Sequence, residues 1–116
     1  MAGTDCLFCR IVAGEIPADV VLSTPDLMAF QDINPQAPTH ILIIPKAHVA
    51  SVSDLDPAQA ELMGKLFLAA RELAKREGIA QEGYRRVVNA GAAAGQTVFH
   101  IHMHLLGGRG MAWPPG

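Results

Sequence analysis

The segment from His100 to Leu106 constrains the fold more than any other part of the chain, because it reads His-Ile-His-Met-His-Leu-Leu. Side chains of a β-strand point to alternate faces, so the three histidines share one face and apolar residues share the other. The apolar face belongs to a core, and the histidine face is expected to look toward something polar. The pattern therefore predicts a half-buried last strand, Thr97–Leu106, beside a site.

The spacing of these histidines limits what they can do together. Same-face side chains on a strand are roughly 6–7 Å apart, so one phosphate or one metal ion reaches two adjacent imidazoles at most. Imidazole is a good nucleophile at phosphorus near neutral pH, because its reference pKa leaves much of it unprotonated. Neighbouring imidazoles can position it, carry protons or donate N–H groups to phosphate oxygens. An isolated histidine is usually structural, but three in alternation beside the small-residue loop 90–96 favour a catalytic site.

The rest of the pattern predicts an α+β domain with a five-stranded, mainly antiparallel sheet, one long helix and one short helix. Apolar residues recur at helical spacing between Asp56-Pro57, a start signal, and Gly78, a stop signal. The short helix is predicted at Cys6–Ala13. The strands are predicted at Val20–Ser23, Leu27–Asp32, His40–Ile44, Tyr84–Asn89 and Thr97–Leu106.

Length and composition indicate one globular domain spanning residues 1–116, since half of the residues are apolar and 17% are charged. The net charge of −2, from 9 basic and 11 acidic residues, argues against broad nucleic-acid binding. No apolar run has the length of a membrane span, and the first residues lack a signal-peptide pattern. We therefore expect a soluble cytoplasmic protein without nucleic-acid or membrane partners.

The order of motifs along nearly the whole chain resembles the histidine-triad (HIT) family, and within it the Hint branch. The family signature is His-φ-His-φ-His-φ-φ, where φ is apolar, and it matches His100–Leu106. The Trp-Pro-Pro-Gly ending is the most branch-specific match, because dinucleotide polyphosphate hydrolases lack this tail. Hexose-phosphate uridylyltransferases differ in the triad itself, where they carry His-Pro-His. The other matches are Phe8–Ile11, Gly14–Pro17, Ala29–Ile33, Pro35–His40, Ile44–Lys46, Gly83–Arg85, Val88-Asn89, Gly95-Gln96 and Leu106–Arg109.

The resemblance implies a purine nucleoside phosphoramidase that needs no catalytic cofactor. His102 would attack the α-phosphorus of a nucleoside phosphoramidate, or of an acyl-adenylate, and form a covalent nucleotidyl-histidine that water hydrolyses. His104 would contact the phosphate and assist proton transfer. His40 and His100 would form a second layer that orients the site.

The resemblance also implies a pocket for a purine nucleotide such as AMP. Asp32 would bind the ribose hydroxyls, and Asn89 would lie near the phosphate. The alternative for each is an ordinary turn residue at the end of a strand. Gln96 and Thr97 would offer N–H groups and a hydroxyl to phosphate oxygens. Apolar side chains would sandwich the base, though by periodicity alone they would be ordinary core residues: Leu7, Phe8, Ile11, Ile16, Phe30 and Ile33.

Cys6 and Cys9 form a C-x-x-C motif, which in a reducing compartment favours a metal or redox role over a structural disulfide. A redox role is less favoured because no thioredoxin-like βαβ pattern surrounds the pair. Some relatives with this motif bind zinc, so the resemblance implies a structural Cys₂His₂ zinc site with His48 and His100. The alternative is two buried thiols that act as small apolar side chains.

Family members pair as twofold dimers, so the resemblance implies a homodimer in which Trp113, in the C-terminal tail, lies near the partner's nucleotide site.

Two other functions stay open. One is hydrolysis of dinucleotide polyphosphates, which uses the same nucleophile and a different leaving group. The other is a nucleotide-binding interaction module, against which the intact triad argues, because binding needs no nucleophile at the middle position.

Overall fold

A five-stranded antiparallel sheet organises the part of the chain that the computed structural model describes, residues 5–116. Its order is β1-β2-β3-β5-β4, and every neighbouring pair is antiparallel. The predicted α+β class, with five antiparallel strands, one long and one short helix, is confirmed. The elements are α1 (Leu7–Val12), β1 (Val20–Ser23), β2 (Leu27–Gln31), β3 (Thr39–Pro45), α2 (Ala60–Arg76), β4 (Tyr84–Val87) and β5 (Met103–Gly107).

The sheet buries apolar side chains on both faces, and β3 makes this clearest. Ile41 and Ile43 belong to the main core with α2, whereas Leu42 and Ile44 belong to a smaller cluster with α1. Strands that are buried on both faces carry continuous apolar runs rather than alternating ones. The candidate site lies on the α1 face.

The long helix ends where the sequence predicts, but it begins at Ala60, because the predicted start signal Asp56-Pro57 opens a 3₁₀ turn over Pro57–Gln59. The carboxylate of Asp56 accepts the N–H of Ala58, and the Gln59 amide oxygen accepts the N–H of Asp56, which closes a capping box. A short 3₁₀ turn then leads into α2. Gly78, with φ +74°, follows the last turn and supplies the left-handed conformation that ends the helix. Among residues 5–116, no helix is both long and apolar enough to cross a membrane.

The predicted strand Thr97–Leu106 is wrong in its first half. The strand β5 begins only at Met103, and residues 97–102 are irregular. Continuing the ladder would place Ile101 opposite Pro45, which has no N–H to donate. The N–H of Ile101 instead donates to the carbonyl of Val49 at 2.8 Å. Alternation of side chains nevertheless continues, because Ile101 and Met103 are both in the main core.

Smaller differences concern other strand ends. β4 stops at Val87 rather than at Asn89, because Val87 pairs with His104 and Asn89 would face a residue before β5. β3 is one residue longer at each end than predicted, and β2 stops one residue earlier. Residues 1–4, part of the segment in which the sequence lacks a signal-peptide pattern, lie outside the described residues.

Candidate functional site

A cavity of about 370 Å³ opens between α1 and the sheet, and it carries two histidines, His102 and His104. Asp32 and Thr97 also line it. The structure brings all six predicted base-pocket residues to its walls: Leu7, Phe8, Ile11, Ile16, Phe30 and Ile33. The cavity therefore joins an apolar compartment to a polar end formed by imidazoles and a carboxylate.

Sequence reasoning missed five further residues of the lining, namely Pro17, Ala18, Gln31, Leu42 and Val98. Period-two alternation could have found two of them. Leu42 follows His40 by two residues on β3, and Val98 precedes His100 by two. The other three carry no pattern that separates them from ordinary turn and strand residues.

Gln96 is buried but does not line the cavity. Its side-chain oxygen accepts the N–H of Gly91, and its side-chain nitrogen donates to the carbonyls of Ala50 at 2.7 Å and Val98 at 3.1 Å. Its backbone N–H donates to the carbonyl of Gly91. Because its side-chain and backbone N–H groups already donate within the chain, Gln96 fixes the segment from Gly91 to Val98. In this conformation it has no free N–H group for a phosphate.

Two other predicted contact residues also lie outside the lining of the cavity. Asn89 is half-buried just after β4. Trp113, which is 84% exposed, belongs to the irregular tail after β5. Within one chain, neither side chain meets the cavity.

The hydrogen-bond partners of His102 assign its tautomer. Its Nδ1 lies 2.8 Å from the backbone carbonyl oxygen of His100. A carbonyl only accepts, so Nδ1 carries the proton and Nε2 of the neutral ring carries a lone pair. Phe8 packs edge-on against the ring, with 5.1 Å between centroids, and the residue is only 7% exposed. An unprotonated nitrogen on a fixed ring is what a nucleophile requires.

A second chain of hydrogen bonds assigns the proton of His104. The backbone N–H of Gln36 donates to Nδ1 of His40 at 3.0 Å, so the proton of neutral His40 is on Nε2. That N–H donates to Nδ1 of His104 at 2.9 Å, which leaves the proton of His104 on Nε2. The centroids of the His102 and His104 rings are 5.0 Å apart. Neighbouring rings thus offer different groups, a lone pair on His102 and an N–H donor on His104.

Burial keeps the rings of His40 and His104 neutral. It is the main cause that lowers the pKa of His104 to about 4, and repulsion from His102 and His40 adds to it, whereas Asp32 opposes it. Burial also lowers the pKa of His40, again against Asp32, whose Oδ2 lies 3.4 Å from Nε2 of His40. The Asp32–His40 contact is therefore not an ion pair at neutral pH.

Four potential metal ligands meet beside this cavity: Cys6, Cys9, His48 and His100 have ligand atoms within 4.8 Å of one another. Nδ1 of His100 lies 3.3 Å from Sγ of Cys6, 3.5 Å from Sγ of Cys9 and 3.3 Å from Nδ1 of His48. In a tetrahedral zinc site, ordinary bond lengths place two nitrogens about 3.3 Å apart and nitrogen and sulfur about 3.6 Å apart. The donor set and its spacing therefore fit a zinc ion.

The environment of His100 also suits a ligand. Its Nε2–H donates to the carbonyl of Pro45 at 2.7 Å, so the unprotonated Nδ1 faces the cluster, as in metal-bound histidines. Burial is the main cause that lowers the pKa of His100. Burial, followed by the neighbouring Cys6, raises the pKa of the Cys9 thiol to about 11. His100 thus differs from His102 and His104, because it is fully buried against Phe8 and the two cysteines and does not line the cavity.

Comparison with known proteins agrees with this geometry. The family model described as HIT domain matches residues 13–111. This chain belongs to the HIT family. A crystal structure of a HIT family hydrolase from Legionella pneumophila has a TM-score of 0.95 to this HIT protein at 53% identity, covering 97% of this chain and 100% of that one. The resemblance to the HIT family is therefore confirmed.

Two relatives carry informative names. Purine nucleoside phosphoramidase of Escherichia coli is 46% identical over 105 residues, covering 90% of this HIT protein and 88% of that enzyme. A 14 kDa zinc-binding protein of Zea mays is 48% identical over 112 residues, covering 95% of this chain and 87% of that protein. This HIT protein is therefore similar to a named hydrolase and to a named zinc-binding protein.

Proposed function

We propose that this HIT protein hydrolyses purine nucleoside 5′-phosphoramidates, and related acyl-adenylates, through a covalent nucleotidyl-histidine at His102. One observation carries the proposal. The ring of His102 lines the cavity, and the bond from its Nδ1–H to the carbonyl of His100 places the lone pair of the neutral ring on Nε2. The similarity to a purine nucleoside phosphoramidase supports the reaction class.

The rest of the cavity suits a purine nucleoside. Its volume, about 370 Å³, lies in the usual range for small-molecule sites. Phe8 and Phe30 pack edge-to-face at 5.5 Å and offer aromatic surface to a flat base. Oδ1 of Asp32 accepts the N–H of Asn34 at 2.8 Å. This bond orients the carboxylate so that it can accept from ribose hydroxyls.

The first chemical step forms a bond between Nε2 of His102 and phosphorus while the phosphorus–nitrogen bond of the substrate breaks. The amine leaves with that electron pair and takes a proton from solvent. The carbonyl of His100 stabilises the positive charge on the His102 ring, because it accepts the Nδ1–H. His104 is neutral at pH 7 and acts as a hydrogen-bond donor to the phosphoryl oxygens through Nε2–H.

The second step is attack of water on phosphorus. The bond from phosphorus to Nε2 breaks, its electron pair returns to the ring, and the water proton is released to solvent. The nucleoside monophosphate leaves with one oxygen from water, and His102 regains its starting tautomer. No catalytic cofactor is needed for either step.

Release of AMP from an adenosine 5′-phosphoramidate tests this function, in comparison with a dinucleoside polyphosphate. We expect fast release from the phosphoramidate, and acid-labile AMP attached to His102 in quenched reactions. A preference for the polyphosphate would instead favour a dinucleotide polyphosphate hydrolase. Tight AMP binding without turnover of either substrate would leave a nucleotide-binding interaction module.

We also propose that the cluster of Cys6, Cys9, His48 and His100 holds a structural zinc ion that ties α1 to the sheet. The similarity to a 14 kDa zinc-binding protein supports this. Metal analysis of protein purified without chelator is expected to find one zinc per chain. Absence of stoichiometric zinc would favour the alternative of two buried thiols.

We further propose a homodimer that acts in the cytoplasm, without nucleic-acid or membrane partners. On α2, Phe67 is half-exposed, and the guanidinium of Arg86, on the edge strand β4, lies 5.3 Å from its ring centroid. Within residues 5–116, Nε of Arg86 is buried without a hydrogen-bond partner. A second copy would cover this surface and bring Trp113 near the other cavity. A monomer in sedimentation at micromolar concentration would contradict the dimer.

A further inference from the structure

His100 belongs to both sites at once. Its side chain places Nδ1 among Cys6, Cys9 and His48, 3.3–3.5 Å from each ligand atom. Its backbone carbonyl, in contrast, accepts the Nδ1–H of His102 at 2.8 Å. Because one residue supplies both groups, a rotation of the His100 backbone that follows its side chain also moves the acceptor that fixes the nucleophile.

The helix α1 forms a second link. Phe8 lies between the two cysteines in sequence, and its ring contacts the rings of both His100 and His102, at centroid distances of 5.9 and 5.1 Å. With Leu7 and Ile11, it lines the nucleotide cavity. A helix of six residues is not stable in isolation, so its contacts with the rest of the fold determine its position.

The cysteines are prominent among those contacts. Sγ of Cys6 accepts the N–H of Cys9 at 3.4 Å and caps the first turn, while Sγ of Cys9 reaches Nδ1 of His48 at 3.3 Å. His48 lies on the segment after β3, outside α1 and the nucleotide cavity. The cluster therefore fastens the wall of the cavity to the sheet.

From these two links we propose that zinc in the Cys6/Cys9/His48/His100 cluster acts as a positioning device for the nucleotide site. Bound zinc fixes α1 and the backbone of His100, and thereby sets the affinity for purine nucleotide and the tautomer of His102. This inference rests on the proposed function for the identity of the ligand, AMP. It assigns to the cluster a control over the site as well as a structural role.

The cluster lies outside the main core of the fold. The main core lies between α2 and the opposite face of the sheet, and its members include Ile41, Leu73 and Met103. A second cavity, of about 380 Å³, reaches Cys6 and His48 from outside, and it shares Leu7 with the nucleotide cavity. A chelator can therefore reach the cluster without unfolding the chain, and the response is expected in the nucleotide site.

The test compares zinc-loaded, metal-free and zinc-reconstituted wild-type protein. AMP affinity is measured by calorimetry, and the protonated nitrogen of His102 by ¹⁵N NMR of ligand-free protein. We expect metal removal to weaken AMP binding at least tenfold and to move the His102 signals, and zinc to restore both. The variant His48→Ala, which changes neither α1 nor the triad, should behave like the metal-free protein.

Leu73→Ala is the matched control, because it opens a hole in the main core on the opposite face of the sheet. It should lower the melting temperature and leave AMP affinity within twofold. AMP affinity and His102 signals that are equal with and without zinc would overturn the coupling, as would an equal loss of affinity in Leu73→Ala.

Two further outcomes are also decisive. If AMP binds to neither form, the proposed function fails, and the coupling stands or falls on the His102 signals alone. If the metal-free protein unfolds, Cd²⁺ replaces zinc, because its longer bonds to sulfur widen the cluster. The coupling then predicts a weaker AMP complex and moved His102 signals, and identical values would overturn it.

Discussion

His100 and His102 are two residues apart and make the same kind of hydrogen bond, but their rings face different surroundings. Each donates one ring N–H to a backbone carbonyl, His100 to Pro45 and His102 to His100, which leaves the other nitrogen unprotonated. The lone pair of His100 faces two thiols and a third imidazole in a fully buried cluster. The ring of His102 lines an open cavity. Under the proposed function, this control of the tautomer suits His100 to be a metal ligand, where donor atoms converge, and His102 to be a nucleophile, where space is left for substrate.

A third group of residues clarifies this comparison. Asp32, His40 and His104 also bring potential ligand atoms within 4.8 Å of one another. Here, however, the proton of His40 lies between two of the nitrogens, which are 2.9 Å apart. These atoms already satisfy one another as hydrogen-bond partners, so their arrangement suits the positioning of a proton.

The largest expected effect is the loss of activity when His102 is replaced. Removing the ring in His102→Ala removes the nucleophile, so kcat for phosphoramidate hydrolysis should fall about 10⁴-fold. Zinc content should stay near the wild-type value and AMP should still bind, because the metal ligands, the apolar walls of the cavity and Asp32 are unchanged. A variant that retains more than a tenth of the activity would contradict His102 as the nucleophile.

The next largest effect concerns the metal cluster. Cys9→Ala removes one of the four ligands, so the stability that zinc confers should be lost. That stability is about 4 kcal/mol when free zinc exceeds its Kd a thousandfold. Chemical denaturation with and without zinc measures it, and Cys9→His, which restores a donor atom, is the control. Equal zinc-dependent stabilisation of wild type and Cys9→Ala would contradict the assignment of the ligands.

A smaller effect concerns the proton that His40 places on His104. His40→Leu leaves Nδ1 of His104 without its donor, and an unsatisfied buried group costs about 2 kcal/mol, so kcat should fall about thirtyfold. His40→Gln places an amide N–H near the former Nε2 and should recover part of the rate. Equal rates for these two variants would mean that the donor to His104 is unimportant.

The smallest effect is a dependence of stability on pH. Burial lowers the pKa of His104 from its ordinary value of 6.5 to about 4. The neutral ring therefore stabilises the fold above pH 6.5, and this contribution is lost as the pH falls toward 4. It amounts to about 1 kcal/mol, because His104 stays partly exposed to solvent. Denaturation of His104→Gln should have a correspondingly shallower dependence on pH over this range, and identical dependences would contradict the shift.

Local patterns were sufficient for the broad architecture. The period of two around Met103 assigned its apolar neighbours to the core, and the capping signal at Asp56 and the stop at Gly78 bounded the long helix. The residues predicted to sandwich a base came only from the resemblance, because by periodicity they are ordinary core residues. The bounds of β5 were missed because they depend on Pro45, which lies on another strand.

The sequence by itself determined which side chains share a face, because strand and helix geometry fixes the direction of each side chain from its spacing. It also supplied the residue types that chemistry at phosphorus and zinc requires. Only the tertiary structure decided that His100 turns inward to cysteines more than 90 residues away. It alone decided which ring nitrogen of each histidine carries the proton, because the carbonyls of Pro45 and His100 and the N–H of Gln36 make that choice. Every residue has such backbone groups, so no sequence pattern marks the ones that fold against an imidazole.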